Sequence, residues 1–210
     1  MRDLQSPEFF IAETRAWVER AVIGLNLCPF AKAPQAKGLV RYVVCEARDA
    51  EGLLATLVDE LNRLAEAPPT QTETTLLIHP WVMNDFGDHN DFLEIAEAAI
   101  EQLELDGIIQ VASFHPQYQF ADTQPDDIGN ATNRSPYPTL HLLREDSIER
   151  AVEAIPDPAA IYEANIGTLE LLGHAGWDAL LQQCHEDAID APDAAPDLDA
   201  SAAPPLDRRH

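Results

Sequence analysis

A histidine that closes an apolar run is a candidate acid or base. In "VASFHPQYQF" (111–120) the run ends at His115, Pro116 stops it, and Tyr118 follows. Imidazole titrates near neutral pH, so His115 suits general acid or base chemistry. Further along, "NATNRS" (130–135) gathers Asn130, Thr132, Asn133, Arg134 and Ser135. A planar guanidinium among amides and hydroxyls suits a carboxylate or phosphate. The expected site therefore has His115 as acid or base. Arg134 and Asn133 hold a small anionic ligand, and Tyr118, Asn130 and His141 line the pocket.

Cys28, in "GLNLCPFAK", is a second candidate, as nucleophile or metal ligand. It follows a predicted helix. The negative end of that helix opposes thiolate formation, and Lys32 is the compensating cation closest in sequence. Cys28, His115 and His141 have the ligand types of a transition-metal site, but no local spacing marks one. His79 reads as a structural histidine, and His89 stands at a helix start where positive charge is poorly placed. "DFGDHNDF" (85–92) lacks the alternating ligands of a calcium loop and reads as a helix cap, at Asp88 or Asn90. GxGxxG, GxxxxGK[ST], GxSxG and HExxH are absent, and no motif specifies a cofactor, a metal or an oligomeric state.

These residues need elements to place them. Ser6 and Pro7 open an amphipathic helix over 7–25. "GLVRYVVCEA" (38–47) reads as a strand, 49–67 as a helix capped by Asp49, and "ETTLLIHP" (73–80) as a second strand. A helix follows over 88–105, then a third strand over 107–116. Strand, helix, strand, helix, strand is the pattern of βαβ crossovers with parallel pairing. Residues 117–137 form a long polar loop, a length that is often functional. "PTLHLLRE" (138–145) is the fourth strand, placed at an edge by Pro136 and Pro138. Two helices close the domain, starting at Asp146 or Ser147 and at Asp157. The expected fold is α/β: one domain over 1–185, with a mixed, mostly parallel sheet of about four strands flanked by helices. A disordered acidic tail is expected over 186–210. Ligands of open α/β sheets collect at the carboxyl ends of parallel strands, where Cys45, His79 and His115 fall.

Composition narrows the partners. The 210 residues carry a net charge of −24 and an isoelectric point near 4.3. Only seven of the 37 acids lie after Cys184, so acidity belongs to the folded body as well. Such a surface repels nucleic acid and anionic membranes, and neither is an expected partner. No apolar run is long enough for a membrane helix, and the start shows no secretory pattern. Three cysteines without paired spacing point to the reducing cytoplasm.

Four stretches, "GLNLCPFAK", "LIHPWVMNDFGDHNDFL", "FHPQYQFADT" and "NRSPYPTLHLLRE", occur in one order that resembles an uncharacterised family of bacterial and plastid proteins. That family is the domain of unknown function fourteen-fifteen. The resemblance spans roughly residues 8–181 and implies no reaction or catalytic residue. The expected function is a cytoplasmic enzyme acting on a small anionic molecule at the carboxyl edge of the sheet. The alternatives are a non-catalytic ligand sensor or protein-interaction module, and a metal-dependent enzyme using Cys and His ligands.

Overall fold

The computed structural model describes residues 3–153 and 159–191. Helix α1 (Pro7–Trp17) is capped by Ser6, whose hydroxyl accepts from the Phe9 N–H. It widens into a π-helical stretch, Val18–Ile23, and stops where Asn26 takes a positive φ of 55°. A short helix α2 (Lys32–Ala36) leads into β1 (Val40–Val44). Helix α3 (Ala50–Glu66), β2 (Thr74–Ile78), α4 (Phe86–Gln102) and β3 (Ile109–Phe114) follow. Strand β4 (Thr139–Arg144) comes after the long loop, then α5 (Glu145–Glu153) and α6 (Ala159–Asp190), which breaks at Gly173 with φ 66°.

The fold is mixed α/β, with one four-stranded sheet in the order β1-β2-β4-β3. β1 and β2 run parallel, while β4 is antiparallel to both neighbours. The sheet is thus covered on two faces. Leu77, Leu140, Leu142 and Ile109 pack against α3 and α4, and Tyr42, Leu76 and Ile78 pack against α1 and α6. Every residue of β2 is buried, which explains why Leu76, Leu77 and Ile78 are apolar without alternation. On α3, Leu53, Leu57, Leu61 and Leu64 form the inward stripe, each 1% exposed or less. Burying a leucine contributes roughly 1.5–3 kcal/mol, so this stripe anchors the layer.

Three expectations change. β4 is central and not at an edge. Pro136 and Pro138 precede the ladder, and the Pro138 carbonyl accepts from His79 N–H at 2.9 Å, so proline's missing donor costs the sheet nothing. The cap of α4 is Asp85, whose carboxylate accepts from the N–H groups of Gly87 and Asp88. Residues 186–190 are helical, where a disordered tail is expected. Helix α6 runs to Asp190 because Cys184 and Ala188 are buried and Asp187 pairs with Arg20 of the π-helical stretch. The start expected at Asp157, and the tail from residue 192 on, lie outside the described residues. Among the described residues, no helix is long and apolar enough to cross a membrane.

Candidate functional site

The carboxyl edge of β2 and β3 holds three histidines in a row. His79 and His89 stack with ring centres 5.3 Å apart, and His89 lies 5.1 Å from His115. All three are essentially inaccessible, at 0–1% exposure. His115 Nδ1 accepts from the Gln117 N–H at 3.0 Å, so its proton sits on Nε2 and is donated to the Met83 carbonyl at 3.2 Å. Both ring nitrogens are therefore spent on backbone, tying the loop before α4 to the loop after β3. His79 donates from Nδ1 to the Val82 carbonyl at 3.0 Å, while its Nε2 and both nitrogens of His89 have no protein partner. Burial pushes His79 down to about 4 and, helped by the neighbouring imidazoles, His89 down to about 3. Burial also lowers His115, against the raising effect of the Met83 carbonyl and Asp85.

The donor-rich loop is turned inward on itself. Asn130, fully buried, accepts from the Phe120 N–H and the Thr123 hydroxyl and donates to the Gln124 carbonyl. Arg134 donates to the carbonyls of Tyr118 at 3.2 Å and Pro125 at 2.6 Å. Tyr118 packs on Phe86. These contacts fold a polar loop around a 3-10 turn, Ile128–Asn133. They leave the guanidinium with carbonyls to hold. Replacing Arg134 with Gln is expected to lower stability by about 1–2 kcal/mol in urea titrations, and to leave any phosphate or carboxylate affinity unchanged. A tenfold loss of anion affinity in a folded variant would restore the anion-binding role.

A cavity of about 650 Å³ lies elsewhere, on the sheet face opposite α3 and α4. Its floor is Val40, Thr74, Leu76, Ala112, Phe114 and His141. Trp17, Val18 and Val22 form one wall, the Leu27–Ala31 segment covers it, and Ile148 and Ala151 of α5 close a side. Of the predicted residues, Cys28, Asn133 and His141 share this lining, while His115, Tyr118, Arg134 and Asn130 do not. Leu143 and Arg144 reach the lining from the end of β4, so the cavity extends toward the amino ends of the parallel strands. The topology differs from that of a doubly wound sheet. Both crossover helices pack on one face, so strand order never reverses and no switch-point crevice forms.

Within the cavity, the sheet register brings His141 beside Thr74. The Thr74 hydroxyl donates its single proton to the Leu142 carbonyl at 2.7 Å, so its oxygen accepts from His141 Nε2 at 2.7 Å. The His141 tautomer is fixed with the proton on Nε2. Nδ1 makes no hydrogen bond and is not among the sealed, unpartnered atoms, so it is open to the cavity. One edge of His141 is thus exposed inside a ring otherwise enclosed by protein, and burial takes it down to about 4. Cys28 is held by its neighbours: Asn165, 4% exposed, donates to the Leu27 carbonyl at 2.8 Å. Burial raises the Cys28 thiol, against the N–H groups of Phe30 and Ala31 that point at it. No group of three or more His, Cys, Asp or Glu side chains among the described residues could hold a metal ion. The Cys28, His115 and His141 trio is not assembled, because His115 faces the other side of the sheet.

Thr74 and Trp17 are cavity residues that residue-type reasoning passed over, and Thr132 of the donor loop lines the cavity with them. Leu76 pairs with His141 across β2 and β4, which puts Thr74 on the histidine's face. Only the register carries that signal.

The chain is an α/β domain with a lined cavity between its sheet and its N-terminal helical cover. Residues 10–179 match a family described as a protein of unknown function (DUF1415), and the chain belongs to that family. No curated protein and no solved structure matches it.

Proposed function

We propose that this protein binds a small, largely apolar molecule in the cavity between the sheet and the α1–α2 segment. The observation that carries this reading is the His141–Thr74–Leu142 chain. It presents one imidazole nitrogen of known protonation to an otherwise carbon-rich space of ligand size. An anionic substrate fits less well, because Arg134 and Arg144 both donate to backbone carbonyls. Catalysis by Cys28 and His141 is the second reading, favoured by their common wall. As folded they stand as thiol and neutral imidazole, a weak nucleophile near a weak base, which supports binding over turnover. A reducing, cytoplasmic setting accords with three free cysteines.

The hydrocarbon probe diphenylhexatriene tests the reading. Its fluorescence should rise saturably with the wild-type protein. Ala112→Phe places a ring on the cavity floor and should weaken binding about tenfold or more, with far-ultraviolet dichroism unchanged. Equal binding by the two folded proteins would overturn the proposal.

A further inference from the structure

One polar atom of the cavity lining is open to the cavity and has no protein partner, His141 Nδ1. It is an acceptor, because its proton is committed to Nε2. The indole N–H of Trp17 and the hydroxyl of Thr132 are unpartnered too, but both atoms are sealed from the cavity. An acceptor without a partner in a carbon-rich cavity points to a ligand that donates to it. The cation of the lining, Arg144, has its guanidinium on the carbonyls of Leu64, Ala67 and Thr72, and Glu73 lines the cavity too. An anion entering here would lose its hydration and find no free positive charge, inside a protein of net charge −24.

Building on the binding reading above, we propose that the ligand is a neutral molecule with an apolar body and one N–H donor, such as a carboxamide or lactam. Its N–H meets His141 Nδ1. The apolar remainder lies along Leu76, Phe114 and Val22.

Displacement of diphenylhexatriene at pH 7.5 by matched ten-carbon ligands tests this. Decanamide should compete at about tenfold lower concentration than N,N-dimethyldecanamide, which accepts but cannot donate, one hydrogen bond being worth about that factor. Decanoate should compete less well than either. His141→Phe should close the gap between the two amides. Decanoate competing as well as decanamide would overturn the proposal. So would equal strength of the two amides on the wild-type protein, which requires no variant to fold. Failure of the probe to bind at all would instead remove the cavity reading beneath it, so the two failures are told apart.

Discussion

Lowering the pH from 7 to 5 is expected to remove about 6 kcal/mol of folding stability. His79, His89 and His141 have ordinary values near 6.5 when unfolded and about 4, about 3 and about 4 when folded. A base whose folded value lies below its unfolded value binds fewer protons in the native state. Its contribution is fully present above about pH 6.5 and is lost as pH falls toward the folded value. Each such histidine loses about 1.4 kcal/mol per pH unit in that window, or about 2 kcal/mol by pH 5. The surroundings give no relief. His79 and His89 face each other and His115, and His89 also sits in the first turns of α4, where positive charge is disfavoured. Urea titrations followed by circular dichroism at pH 7.5, 6.5, 5.5 and 5.0 measure the loss. His89→Phe keeps a ring in the stack and should make the slope shallower by one proton. A stability that stays flat from pH 7 to 5 would contradict the buried neutral state of these histidines.

Arg144→Met is expected to cost about 3 kcal/mol. Arg144, 9% exposed, sits at the end of β4 and donates to the Leu64 and Ala67 carbonyls at the last turn of α3, and to Thr72 beyond it. One planar fork thus satisfies carbonyls that a helix end leaves open, and it places positive charge at the negative pole of the helix. Methionine fills the same space and leaves the acceptors without donors, each at roughly 1–3 kcal/mol before relaxation. Arg144→Lys should recover less than half, because an ammonium cannot reach all three oxygens at once. Chemical denaturation of the three proteins at pH 7.5 decides the matter. A methionine variant within about 0.5 kcal/mol of the wild type would show that water replaces the guanidinium at no cost.

Most elements were readable from local pattern because their causes are local. Asp49 caps α3 through its own carboxylate, the leucine stripe of α3 repeats at helical spacing, and β2 is a short apolar run between polar turns. The site residues depend on a different cause. Arg134 and Asn130 resemble ligand-binding residues by type, yet their partners are carbonyls and N–H groups of their own loop. A polar loop that folds back must satisfy its backbone, and residue type alone does not tell that duty from ligand binding. The π-helical stretch after Trp17, which brings Val18 and Val22 to the cavity, also has no marker in the amphipathic pattern it interrupts.

His115 shows the division most plainly. The sequence by itself determined that His115 ends a strand, that three strands alternate with two helices, and that the surface is acidic. Neighbouring residues and composition set all of these. Tertiary structure decided which histidine meets a cavity. The insertion of β4 between β2 and β3 and the packing of both crossover helices on one face put His115 against backbone and His141 against open space. Side chains alternate across a strand, so the face His141 takes, and its partner Thr74, follow from a register that residues far apart in the chain set together.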